Sequence, residues 1–178
     1  MLEVEAKFRA KLDDVRERVK ALGFSLIGVS EEVDIYFQHP CRDFSATDEA
    51  LRLRLSAGEA QLTYKGPRMG AGAKTRFEAS AAAGPEVVEV LKQLGFREVA
   101  QIRKRREYYS GGGFTISLDW VEGVGEFVEI EKLVPDGSSV EAAVAEIKSL
   151  AESLGLRDEV RETYLELFLR RGITRKVF

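Results

Sequence analysis

The chain has one cysteine, one histidine, one tryptophan and four prolines among its 178 residues. A lone thiol, Cys41, excludes an internal disulfide and suits a reducing, cytoplasmic compartment. One Cys and one His cannot build a zinc cluster. A Cys–His nucleophile pair would have to be His39 and Cys41 themselves, which sit in a polar loop, and it is set aside. No apolar run approaches membrane-spanning length, and no secretory leader is visible. Charge of one sign is missing too: the net charge of −3 gives no reason to expect nucleic acid or a membrane surface as partner. What is abundant is charge itself, 32% of residues, beside a hydrophobic fraction of 44% that suffices for one buried core. The expectation is a single domain over residues 1–178, in which the arrangement of the charges matters more than their sum.

The first ten residues show that arrangement. Leu2, Val4, Ala6 and Phe8 alternate with Glu3, Glu5, Lys7 and Arg9, the period of a strand with one apolar and one charged face. Carboxylates two residues apart on a strand stand about 7 Å apart, close enough to share a divalent cation directly or through water. The alternation returns with Arg52 and Arg54 opposite Leu51, Leu53 and Leu55, then with Gln61, Thr63 and Lys65 on one face. It returns again in Lys74–Ala79, in the basic run Arg97–Tyr109, in Phe114–Trp120 and in Phe127–Leu133. Phe24–Val29 and Val33–Phe37 read as two short strands. Helices are expected over Asp13–Gly23, over Pro85–Gly95, from a capping box of Ser138 and Glu141 to about Leu154, and near Val160–Arg171. Gly66–Lys74 reads as a mobile loop. Within it Gly72-Ala-Lys-Thr75 ends like a P-loop but lacks the required glycines and precedes a strand, so it is rejected. Lys20-Ala-Leu-Gly-Phe24 and Lys92-Gln-Leu-Gly-Phe96 echo each other and suggest two halves of related construction.

Many antiparallel strands with few helices indicate an α+β fold. A half-exposed sheet would leave its charged faces in water. A barrel clothed outside by helices would bury the apolar faces beneath them and turn the charged faces into its lumen. That lumen would hold Glu3, Glu5, Glu78, Asp119, Glu129 and Glu131 opposite Lys7, Arg52, Arg54, Lys65, Arg76, Lys104 and Arg106. So many buried ions cost too much unless ligand, metal and water compensate them. Carboxylates that hold divalent cations, beside cations that hold a polyanion, suit a triphosphate.

Glu3-Val-Glu-Ala-Lys7 resembles the ExExK signature of the CYTH superfamily, the triphosphate tunnel metalloenzymes. Within it the chain is most similar to class IV adenylyl cyclases and their archaeal relatives. Asp34–Phe37, Cys41–Arg54, Tyr64–Pro67, Lys74–Glu78, Lys104–Arg106 and Gly125–Glu131 match further motifs in the same order, so the resemblance runs from residue 1 to about residue 170. It implies an eight-stranded antiparallel β-barrel, a tunnel open at both ends, with helices packed outside. It implies Mg2+ or Mn2+ on Glu3, Glu5, Asp119, Glu129 and Glu131. Lys7, Arg52, Arg54, Lys65, Arg76, Lys104 and Arg106 would grip the triphosphate, with Lys7 and Arg106 the catalytic residues. Ser80 departs from the pattern, since relatives often carry a second acid there. The implied activity is conversion of ATP to cyclic AMP and pyrophosphate. An inorganic or thiamine triphosphatase releasing phosphate, and a non-catalytic triphosphate or polyphosphate sensor, are the alternatives, because no adenine pocket is legible. The expected partner is ATP or another triphosphate, with no nucleic acid and no membrane, and homodimer formation is left open.

Overall fold

A computed structural model describes residues 2–68, 76–135 and 139–172. Period-two alternation dominates the chain and, among the described residues, builds nine strands accompanied by four helices. In order these are β1 (Leu2–Arg9), α1 (Leu12–Ala21), β2 (Ser25–Gln38), β3 (Ala50–Ser56), β4 (Glu59–Arg68), β5 (Arg76–Ala83) and α2 (Val87–Gln93). They continue as β6 (Arg97–Gly111), β7 (Phe114–Val121), β8 (Gly125–Val134), α3 (Val140–Ser153), β9 (Asp158–Glu159) and α4 (Tyr164–Arg170). All strands join one sheet in the order β5-β4-β3-β2-β6-β7-β8-β1-β9. β2 is one continuous strand where two short ones were expected; a bulge at Ile27 lets it bend without breaking.

The eight-stranded closed barrel is not formed. The sheet curls into a half-barrel whose two edges stand 18 Å apart. The short strand β9 takes the free side of β1 at Phe8 and Arg9, and Val160 N–H continues it by donating to the Lys7 carbonyl. β5 and β1 therefore do not pair. Glu78 on β5 and Glu3 and Glu5 on β1 would meet across the seam, and like charges oppose its closure.

The convex face is the apolar one. α1 (Leu12, Val15, Val19) and α3 (Ala143, Ile147, Ala151) cover Val4, Phe8, Ile116, Leu118, Val128 and Ile130. Leu91 of α2 covers Ile35, Phe37, Leu51 and Leu53. Each of these larger side chains contributes roughly 1.5–3 kcal/mol on full burial. α4 overturns the expectation that every helix lies outside. Its Tyr164, Leu167 and Phe168 pack on Tyr36, Ile102, Val121 and Phe127. Those four stand two residues from Asp34, Lys104, Asp119 and Glu129, so they belong to the concave face. α4 thus fills one end of the curl, held at its start by a capping box between Thr163 and Glu166.

The sequence echo has a local cause. Gly23 and Gly95 adopt φ of 85° and 88° after α1 and α2, and Phe24 and Phe96 N–H groups bond back to Val19 and Leu91 carbonyls. This is the Schellman helix ending, and α3 ends the same way at Gly155 and Leu156. The stop signal marks two halves of like construction: β1-α1-β2-β3-β4 and β5-α2-β6-β7-β8 follow the same element order and take equivalent places in the sheet. Most of the Gly66–Lys74 loop, and Ser138 of the expected capping box, lie outside the described residues. Among the described residues no helix is long and apolar enough to cross a membrane.

Candidate functional site

The concave face encloses a cavity of about 1190 Å³. Its charges fall into three groups, each set by strand register. The first is acidic. β1 pairs with β8 so that Glu5 stands directly opposite Glu131, with Glu3 two residues along β1. Ligand atoms of Glu3, Glu5 and Glu131 all lie within 4.8 Å of one another. Burial, then the charges of Glu129 and Glu3, push the Glu131 carboxyl up to about 8. Glu3 is raised in the same direction by desolvation, then by Glu5 and Glu78. Hard oxygen donors crowded this closely repel until a cation joins them, and the donor set fits Mg2+ or Mn2+.

The second group surrounds Arg106. Its Nε donates to Asp119 Oδ1 at 2.6 Å, and its Nη2 donates to both Asp119 and Glu129. Lys7 Nζ stands 3.3 Å from Glu129 Oε1, donates to the Glu162 carbonyl at 3.2 Å and lies 3.8 Å above the Tyr164 ring. Tyr164 Oη donates to Asp119 Oδ2 at 2.6 Å. Lys7 and Arg106 are almost fully buried, so desolvated charges hold each other here and would bind an anion strongly once it entered.

The third group lies on β2, β3 and β6. Arg54 grips Asp34 with two bonds, of 2.7 and 2.9 Å. Lys104 Nζ is 3.1 Å from Glu32 Oε2 and 3.7 Å from Asp34 Oδ2, and Tyr108 Oη donates to Glu32 Oε1 at 2.7 Å. Burial acts to raise the Glu32 carboxyl, but Lys104 and Arg54 outweigh it and hold the group down at about 2. Burial, then the neighbouring Arg106, lower the Lys104 ammonium despite Asp34. At the open rim Lys65 pairs with Glu78 at 2.6 Å, and Arg76 lies 3.5 Å from the same carboxylate. Ser80, in place of a second acid, shares a hydrogen bond with Thr63.

Every site residue nominated from the sequence except Asp119 lines this cavity. Asp119 is sealed behind Arg106 and Tyr164. The five carboxylates named for metal are therefore divided. Glu3, Glu5 and Glu131 converge, whereas Glu129 and Asp119 face the buried cations. Lys104 and Arg106 point inward while Arg103 and Arg105 point out, because β6 keeps strict alternation there. Glu32 was missed because its position fell between the two strands expected where β2 is continuous; its even spacing from Asp34 and Tyr36 was the available signal. Tyr164 was not named as a site residue, and nothing in its spacing along the last helix separates a core role from its bond to Asp119.

A family profile for the CYTH domain matches residues 1–164. The chain belongs to the CYTH family. Among CYTH relatives, a Methanocaldococcus jannaschii protein named as a candidate adenylate cyclase is 40% identical over 174 residues, covering 94% of this chain and 98% of the relative. Adenylate cyclase CyaB of Aeromonas hydrophila is 29% identical over 166 residues, covering 89% and 84%. A solved Pyrococcus horikoshii OT3 protein superposes with a TM-score of 0.88 at 42% identity, covering 95% of this chain and 99% of that one. The CYTH match begins in β1, the strand whose register against β8 assembles the acidic triad.

Proposed function

We propose that this CYTH protein is a metal-dependent enzyme of the class IV adenylyl cyclase type, converting ATP to cyclic AMP and pyrophosphate. The observation that carries the reading is one cavity holding the Glu3–Glu5–Glu131 triad beside the buried cations of two strand groups. Arg52 Nε, buried and without a hydrogen-bond acceptor among the described residues, is a donor that a phosphate oxygen satisfies. Beyond the cations the wall includes Val99, Leu165 and Leu169, apolar surface suited to a nucleoside. The cyclase names of the Methanocaldococcus and Aeromonas relatives point the same way.

In this reading Glu3, Glu5 and Glu131 hold Mg2+ or Mn2+, which supplies charge neutralisation at the phosphate oxygens. Arg52, Arg54, Lys65, Arg76 and Lys104 bind the phosphate chain. Lys7 and Arg106 stabilise charge on the reacting phosphorus. Glu129 and Asp119, expected as metal ligands, are assigned here to aiming those two cations. The ribose 3′-oxygen bonds to the α-phosphorus, the bond from that phosphorus to the oxygen bridging it to the β-phosphorus breaks, pyrophosphate leaves, and the hydroxyl proton passes to solvent water admitted by the open seam. Holding the hydroxyl in line contributes on the order of 7–11 kcal/mol towards the barrier.

The open seam favours one second reading. Edges 18 Å apart admit solvent along the phosphate chain, so water at the terminal phosphorus competes with the 3′-hydroxyl. Product analysis with ATP, and separately with inorganic triphosphate, distinguishes them. Cyclic AMP with pyrophosphate is the expected outcome. ADP with phosphate, or cleavage of inorganic triphosphate without cyclic product, makes the protein a triphosphatase, and tight binding without turnover makes it a sensor.

A further inference from the structure

The end of β2 and the loop after it line the cavity beyond the cations, beside the apolar wall suited to a nucleoside. Along β2 the concave face runs from Asp34, gripped by Arg54, through Tyr36 to Gln38, which stands about 13 Å further out. Gln38 pairs with Arg97 of β6, and a bulge between Tyr36 and Phe37 leaves Val99 unpaired. Bulges re-aim side chains, and Val99, 42% exposed, joins the cavity wall there. Two polar side chains beside it are fixed by backbone bonds. His39 Nδ1 accepts from Cys41 N–H at 3.0 Å, so the neutral ring carries its proton on Nε2 and is a donor there. Ring contacts with Phe44 and Phe96, at centroid distances of 5.8 and 5.1 Å, hold its plane. Gln38 Nε2 donates to the Arg42 carbonyl at 2.8 Å, which leaves Oε1 as the acceptor. Neither His39 Nε2 nor Gln38 Oε1 has a hydrogen-bond partner among the described residues, and both residues line the cavity.

We propose that Gln38 and His39 read the base of the substrate and make the site select adenosine over guanosine triphosphate. This rests on the nucleotide reading above and names the residues that set its base specificity. With the triphosphate on the cations, the ribose comes next and the base edge carrying N1 and the 6-substituent lies furthest out, at the level of Gln38 and His39. Adenine presents there an amino donor beside the N1 acceptor. Gln38 Oε1 accepts from the amino group, His39 Nε2–H donates to N1, and Val99 gives the ring an apolar surface to rest on. Guanine reverses both groups, with an O6 acceptor and an N1–H donor, so acceptor meets acceptor and donor meets donor. Neither protein group can exchange roles without loss. Turning the amide gives up the bond to the Arg42 carbonyl, and moving the ring proton sets Nδ1–H against Cys41 N–H.

The test is calorimetry of the full chain with Mg2+ and the α,β-methylene triphosphates of adenosine, guanosine and 1-deazaadenosine, beside inorganic triphosphate. The wild-type chain should bind the adenosine analogue at least about tenfold more tightly than the guanosine analogue. The 1-deaza analogue keeps the amino group but has no N1 acceptor, and its affinity should fall by a similar factor. In His39→Phe, which keeps a ring against Phe44 and Phe96, the adenosine analogue should bind no better than the 1-deaza analogue. Inorganic triphosphate has no base and should not distinguish the two chains. Equal affinity of the wild-type chain for the adenosine and guanosine analogues, or for the adenosine and 1-deaza analogues, overturns the proposal. So does a His39→Phe chain that keeps the wild-type preferences. The 1-deaza comparison needs only the wild-type chain, so it decides even where the variant fails to fold. The products formed from ATP are read separately: a chain that selects adenosine in this way without forming cyclic AMP upholds this inference and loses the cyclase reading.

Discussion

Substituting Glu131 by Gln separates the electrostatic cost of the acidic triad from its use as a metal ligand. Without metal, burial, Glu129 and Glu3 raise the Glu131 carboxyl from 4.5 to about 8. A raised folded-state value means that the protonated acid is favoured by folding. The stability it contributes is complete below pH 4.5 and is lost as pH rises through 8. At about 1.36 kcal/mol per pH unit, that interval caps the loss at about 5 kcal/mol. Water in the open half-barrel and relaxation of neighbouring acids reduce it to about 2–3 kcal/mol, as effective dielectrics near 20 imply. Glu131→Gln removes this titration. The metal-free variant should match wild type near pH 5 and exceed it near pH 9, by about 5–10 °C in Tm for a chain of this size. Magnesium reverses the order, because it binds the ionised triad and stabilises only a protein that retains the ligand. Urea and thermal unfolding from pH 5 to 9, in EDTA and in excess MgCl2, read both effects. Parallel pH profiles for variant and wild type, or equal stabilisation of both by Mg2+, would refute the reasoning.

The remaining expectations are simpler. Inorganic triphosphate at saturating Mg2+ should raise Tm clearly, since it relieves repulsion among Arg52, Arg54 and Lys104 and binds only the folded chain; an unmoved midpoint in thermal scans would mean that these cations do not bind it. Tyr164→Phe removes a bond of 2.6 Å to a fully buried carboxylate, so urea unfolding should show a loss of about 1.5–3 kcal/mol, and a neutral result would mean that Arg106 alone satisfies Asp119. ATP turnover should fall with Arg106→Met while Glu3, Glu5 and Glu131 still bind Mn2+ in calorimetry; loss of metal binding in that variant would contradict the division of the acids between metal and cations.

Period-two alternation by itself determined which side chains share a strand face, and every site residue named that way except Asp119 does line the cavity. Glu3 with Glu5, Arg52 with Arg54 and Glu129 with Glu131 needed no knowledge of neighbours, because a pleated strand turns alternate residues to one side. Which strands lie side by side, and how far the sheet curls, depend on contacts between residues far apart in the chain. Only the register of β1 on β8 places Glu5 against Glu131 and so chooses Glu131 over Glu129 for the triad. Only the pairing of β2 with both β3 and β6 joins Glu32 to Asp34 among the cations. Strand count could not reveal that the seam stays open, since that depends on acids meeting at its two rims and on β9 occupying part of β1's free edge. Nor could the apolar spacing of α4 say which face of the sheet it covers: Tyr164, Leu167 and Phe168 would bury equally well against either side, and the residues beside Asp34, Lys104, Asp119 and Glu129 decide it.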